Sequence, residues 1–216
     1  MSRPLAGSRL VPLSIAGPAG RLEALLQEDE ARDHEVAALV CHPHPLYGGT
    51  MHNKVVHRAA TVLHALGAAV LRFNFRGAGQ SEGRHDRGEG ELADARAALG
   101  FLTHRYPHAR RWLLGFSFGA WIAARLAAAE TGIERLILIA PPVLSSSFLT
   151  LASLSVPKLV LQGTDDDICP PAALREQFGG WAEPKKLVEI PGATHFFDKQ
   201  LGALADAMHE ALSEAV

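Results

Sequence analysis

In this chain of 216 residues, the side chains best suited to chemistry are a serine between glycines, a histidine near the C-terminus and three consecutive aspartates between them. Residues 113–120 read Leu-Leu-Gly-Phe-Ser-Phe-Gly-Ala, an apolar run that ends in Gly-x-Ser-x-Gly and passes into an Ala-rich segment. That context places Ser117 at the tip of a sharp strand-to-helix turn, with Gly115 and Gly119 leaving room for a strained backbone. The following helix would aim unsatisfied N–H groups and its positive dipole end at the point where charge develops during attack on a carbonyl. A serine hydroxyl is a poor nucleophile near neutral pH, so Ser117 needs a base, and the base needs a group to orient it. His195, in Pro-Gly-Ala-Thr-His-Phe-Phe, is the candidate base. One of Asp165, Asp166 and Asp167 is the candidate orienting carboxylate, and the others suit loop or capping roles.

An oxyanion formed at Ser117 needs two N–H donors. Phe118 offers one, as the residue after the nucleophile, and the loop after the predicted strand 36–41 offers the other. In that loop Pro43 and Pro45 have no N–H, which leaves His44, Leu46 or Tyr47, with His44 favoured by its place after the strand. Leu46, Tyr47 and Phe116 are expected to line the substrate pocket. His42 and His44 lack a third neighbouring ligand, so no metal site is expected there. The glycine loop 76–83 lacks the helix start and acidic residue of a nucleotide fingerprint and reads as a turn. Asp94 and Arg96 read as exposed helix positions.

The elements that must position these residues follow from hydrophobic periodicity. Alternating segments 10–15 and 22–27, joined by Gly17-Pro18-Ala19-Gly20, predict an antiparallel hairpin. Continuous apolar runs at 36–41 and 68–75, then 112–116, 136–140, 158–162 and 186–190, predict strands covered on both faces. Between and after them, helices are expected at 54–66, 91–106, 120–130, 172–178 and 201–212. This alternation implies one α/β domain over residues 1–216, with a mostly parallel sheet and helices on both faces. Ligands bind such sheets beyond the carboxyl ends of the strands, where every candidate residue falls. The segment 141–157 has room for one short helix, at 146–154, so no separate lid domain is expected.

A net charge of −2 gives no basic field for nucleic acid or an anionic membrane. Residues 1–7 lack the apolar core of a leader and no run is long enough to span a bilayer, so a cytoplasmic location is expected. Cys41 and Cys169, at the ends of separate predicted strands, read as buried thiols in a reducing compartment.

The motifs at 42–54 (His-Pro-His-Pro-Leu-Tyr-Gly-Gly-Thr-Met-His-Asn-Lys), 73–83 (Phe-Asn-Phe-Arg-Gly-Ala-Gly-Gln-Ser-Glu-Gly), 115–119, 163–166 and 192–195 together resemble the α/β-hydrolase superfamily over nearly the whole chain. More narrowly, the chain is similar to small lidless bacterial serine hydrolases related to dienelactone hydrolases and acyl-peptidase catalytic domains. The resemblance implies the α/β-hydrolase fold and the chain order Ser, Asp, His for a catalytic triad. It selects Asp166, the third residue after the glycine that ends its strand, with Asp167 as second choice. Dienelactone hydrolases carry cysteine where this chain has Ser117, and haloalkane dehalogenases carry aspartate. The implied activity is that of a carboxylesterase acting through an acyl-enzyme on esters with small or short-chain acyl groups. No metal or organic cofactor is implied, the partner is a small-molecule ester, and the protein is expected as a monomer or homodimer. Thioesterase, acyltransferase and small-peptide hydrolase activities use the same triad, and a binding protein that kept only the fold is the alternative from another class.

Overall fold

The computed structural model describes residues 7–213. The reading of the first residues as lacking a leader falls mostly outside them. Strands β1 (Ser8–Gly17) and β2 (Gly20–Asp29) form the expected antiparallel hairpin. After them come β3 (Val36–Cys41), α1 (Lys54–Ala65), β4 (Ala69–Phe73), α2 (Glu89–Arg105), β5 (Arg110–Phe116) and α3 (Phe118–Ala129). β6 (Ile133–Ile139), β7 (Lys158–Gly163), α4 (Pro171–Gly179), β8 (Lys185–Ile190) and α5 (Leu201–Ser213) complete the chain. The sheet has eight strands in the order β1-β2-β4-β3-β5-β6-β7-β8, and every pairing from β4 to β8 is parallel.

Parallel strands covered on both faces need apolar side chains at every position, which is why these strands read as unbroken runs. Consecutive residues then serve opposite layers. Leu39, Leu71, Leu113 and Leu138 pack with Leu99 of α2 and Ile122 of α3, whereas Val40, Val70, Leu114 and Ile137 pack with Val56 and Leu63 of α1 and Leu204 and Met208 of α5. Each fully buried Leu, Ile or Val contributes roughly 1.5–3 kcal/mol. α1 starts where Asn53 Oδ1 accepts the N–H of Val55 at 2.9 Å, an N-cap that anchors the helix after the long β3 loop.

The connection between β6 and β7 holds one short 3-10 turn, Leu149–Ala152, in place of the helix expected at 146–154. Among the described residues no helix is long and apolar enough to cross a membrane. Cys41 and Cys169 are both free and buried, and Cys169 lies in the loop before α4 instead of at a strand end.

Asp94 corrects the sequence reading. It is fully buried in α2, where Oδ2 accepts from the backbone N–H and Nε of Arg76 at 2.9 Å each and Oδ1 from Nη2 at 2.8 Å. This fork holds the guanidinium pKa above its ordinary value and pins the loop after β4 to α2. Arg96 does face outward, with Nε donating to Glu130 at 2.5 Å.

Candidate active site

β5 delivers Ser117 to the sheet edge with φ 53° and ψ −121°, outside the regions an ordinary L-residue favours. Its N–H donates to Ile139 O at 2.9 Å, tying the turn to the end of β6. The two flanking glycines are required by contact. A Cβ on Gly115 would stand 2.1 Å from Gly119 O, and one on Gly119 would stand 2.3 Å from Cys41 O at the end of β3. α3 therefore starts at Phe118, two residues earlier than its composition suggested.

His195 arrives from the turn after β8. That turn is fastened to the end of β7 by Asp165 N–H on Ala193 O at 3.0 Å and Gly192 N–H on Thr164 Oγ1 at 2.8 Å. His195 Nδ1 lies 2.8 Å from Asp166 Oδ2, and Nε2 lies 3.1 Å from Ser117 Oγ. A proton on Nδ1 satisfies the carboxylate and leaves the Nε2 lone pair facing the hydroxyl. The Phe116 and Phe196 rings bracket the imidazole, each with its centroid 5.1 Å away.

Of the three aspartates, Asp166 alone is buried; Asp165 and Asp167 point into solvent. Asp166 Oδ1 accepts from the N–H groups of Ile168 at 3.0 Å and Cys169 at 2.7 Å, and Oδ2 also accepts from Gln162 Nε2 at 3.0 Å. Four donors thus fix both oxygens. Gln162 escaped sequence reasoning because it looks like one more residue of a buried strand. It is fully buried, and its Oε1 has no hydrogen-bond partner among the described residues.

On the other side of Ser117, Phe118 N–H heads α3 with no acceptor among the described residues. The three candidates for a second donor now separate. Leu46 N–H is engaged by His44 Nδ1 at 3.2 Å and Tyr47 N–H by His44 O at 3.1 Å, whereas His44 N–H has no acceptor among the described residues. The His44 ring packs 4.8 Å from that of Phe118 and 4.7 Å from that of His85, a residue that no motif singles out. His85 Nδ1 in turn lies 2.8 Å from Glu91 Oε1, off the line of a hydrogen bond.

The expected pocket residues divide. Leu46 and Tyr47 are exposed at the rim, but Phe116 is fully buried under His195 and presents no surface to a ligand. Its place as the last residue of β5 misled, because strand ends alternate between layers and this one turns toward α1 and α5.

Two groups bear on metal binding. His42 has both nitrogens engaged, Nδ1 donating to Pro43 O at 2.6 Å and Nε2 accepting from Phe75 N–H at 3.0 Å, which leaves no lone pair for a metal. Burial first of all lowers its pKa to about 4. Asp166, Cys169 and His195 bring ligand-type atoms within 4.8 Å of one another, yet His195 and Asp166 hold each other. Burial and the Asp166 charge push the Cys169 thiol up to about 12, so it stays protonated.

A mostly parallel sheet opened by an antiparallel hairpin, with a serine on a strained turn after its central strand, is the α/β-hydrolase fold. A family model described as serine aminopeptidase, S33, matches residues 34–150. An uncharacterized protein of Rickettsia prowazekii is 38% identical over 205 residues, which cover 91% of this chain and 86% of that one. An alpha-beta serine hydrolase homologue from Coxiella burnetii superposes with a TM-score of 0.89 at 39% identity, covering 94% of this chain and 97% of that one. A lidless serine hydrolase from Xanthomonas campestris gives a TM-score of 0.89 at 37% identity, covering 99% and 98%. The chain belongs to the serine aminopeptidase S33 family of α/β hydrolases.

Proposed function

We propose that the protein is a carboxylesterase in which Ser117 is the nucleophile, His195 the general base and acid, and Asp166 the group that orients the imidazole. The observation that carries this reading is the unbroken line Ser117 Oγ, His195 Nε2, His195 Nδ1, Asp166 Oδ2, with steps of 3.1 and 2.8 Å at its two junctions. Ser117 Oγ bonds to the ester carbonyl carbon as its proton passes to Nε2, and the N–H groups of Phe118 and His44 receive the oxyanion. The bond from carbon to the alcohol oxygen then breaks, and Nε2 gives that oxygen the proton. Water, deprotonated by the same nitrogen, attacks the acyl-enzyme and releases the acid and free Ser117.

Labelling with a fluorophosphonate tests the reading. A single adduct on Ser117, with kcat on p-nitrophenyl acetate reduced about 10⁴-fold or more in Ser117→Ala, is the expected result. Absence of any adduct on folded protein would instead favour a binding protein that has only the fold. Comparing p-nitrophenyl acetate with an acyl-CoA and a peptide p-nitroanilide separates ester, thioester and amide cleavage, and the ester should be hydrolysed fastest.

A further inference from the structure

Seven large hydrophobic side chains are exposed among the described residues; five of them (Leu46, Tyr47, Leu144, Ile168 and Phe196) sit on loops at the carboxyl edge of the sheet, and Leu149 lies farther along the β6–β7 connection, in its 3-10 turn. Isolated exposed leucines are ordinary, but a set gathered at one edge, around a reactive serine, marks a surface for apolar ligands. Leu149 also forms one wall of a cleft of about 540 Å³ between the β6–β7 connection and the end of α4, within the range of small-molecule sites. Val143, Phe148, Ala152, Gln177 and Trp181 line it as well. Phe148 and Trp181 stack at 5.7 Å, and Gln177 Nε2 donates to Val143 O at 2.9 Å, so the lining is built and mostly apolar.

None of the catalytic residues lines this cleft, but the β6–β7 connection that walls it runs past the turn that carries the serine. The first wall of the cleft begins four residues after Ile139, whose carbonyl accepts the Ser117 N–H. Trp121, on the first turn of α3, donates its indole N–H to Ser147 O at 3.1 Å on the same connection. The two faces of the sheet decide which half of an ester goes there. His195 is carried by a turn whose Ala193 and Phe197 pack with Phe116 in the α1 and α5 layer, whereas Val143, Phe148 and Trp181 pack with Phe118 and Ile122 in the α2 and α3 layer. The alcohol must lie on the His195 side to receive its proton. The acyl arm is thereby directed to the opposite layer, where the cleft opens.

We propose that this cleft is an acyl-chain site, and that the substrates are esters of linear apolar acids of medium length. This rests on the esterase reading above and extends the small or short-chain acyl groups expected from sequence. A methylene that leaves water for the cleft should raise kcat/KM by up to about fourfold.

The test is kcat/KM across p-nitrophenyl acetate, butyrate, hexanoate and octanoate, with fluorophosphonate labelling of the same preparation. Expected is a rise through octanoate, and an octanoate-to-acetate ratio lowered about tenfold by Ala152→Phe, which fills the cleft from an exposed position, or by Leu149→Glu. The ratio for octyl acetate over ethyl acetate should not follow those variants. A flat or falling acyl series in an enzyme that labels at Ser117 overturns the acyl site while leaving the esterase reading intact. A variant effect on octyl acetate alone overturns it too, by assigning the cleft to the alcohol. No adduct and no turnover of any ester would overturn the esterase reading itself, and this one with it.

Discussion

Asp166→Asn tests the orientation of the imidazole with almost no change in shape. Oδ1 of Asp166 receives two backbone N–H groups, at 3.0 and 2.7 Å, so the asparagine amide oxygen must stay there to keep both. Its NH₂ then occupies the place of Oδ2, facing Gln162 Nε2 at 3.0 Å and His195 Nδ1 at 2.8 Å, where both neighbours are donors. The imidazole relieves its clash by moving its proton to Nε2. That N–H would point at Ser117 Oγ, 3.1 Å away, and could no longer accept its proton. A wrong tautomer of this kind lowers kcat by about 10⁴-fold, or about 5 kcal/mol, with KM little changed. The strained contact with Gln162 costs a further ~1–3 kcal/mol of stability, a shift in Tm of several degrees at this size. The assay is steady-state hydrolysis of p-nitrophenyl acetate by variant protein whose circular dichroism matches the parent. A kcat within tenfold of the parent would refute the reasoning.

Three further outcomes follow from the packing. Gly119→Ala puts a methyl 2.3 Å from the Cys41 carbonyl, so α3 must retreat from β3; stability should fall by about 2–3 kcal/mol in urea titration, with loss of Ser117 labelling. Asp94→Ala leaves the Arg76 guanidinium buried without its carboxylate and should cost about 3–5 kcal/mol, much of it recovered in Asp94→Leu/Arg76→Met. His42 has a folded-state pKa near 4, below its ordinary 6.5. The unfolded chain therefore binds the proton first as pH falls, and stability complete above about pH 6.5 should decline by roughly 3 kcal/mol toward pH 4. His42→Gln should show that much less loss of stability over the same interval, and an identical slope in both proteins would disprove the assignment.

The strands and most helices were legible because burial on both faces imposes unbroken apolar runs, and because an amphipathic helix such as α1 repeats its apolar residues every three or four positions. α2 was legible as a helix, but the burial of Asp94 was not. Its buried face runs through Glu91, Asp94, Ala95, Ala98, Leu99 and Leu102, so two carboxylates stand among its apolar residues. One serves Arg76, and the other closes the helix N-terminus on Gly88 N–H at 2.7 Å. In the site, Ser117 was readable from its glycines, whereas the meeting of Ser117 with His195 spans 78 residues and no local pattern encodes it. Only motif order suggested it. Gln162, His85 and the burial of Phe116 depend on which way a side chain leaves a strand end or loop, and composition does not record that.

Ser117 is not alone in having a positive φ. Ala140, which follows β6, has φ 45°, and the two residues stand side by side, Ser117 N–H on Ile139 O and Ala140 N–H on Leu161 O, each at 2.9 Å. A non-glycine residue held there stores about 1–3 kcal/mol, and only the ladder of strand ends keeps it in place. Fraying of β6 and β7 by a residue or two would let both backbones relax while the rest of the sheet stood. On gradual warming, the enzyme should therefore stop turning over before its helices melt, and recover on cooling.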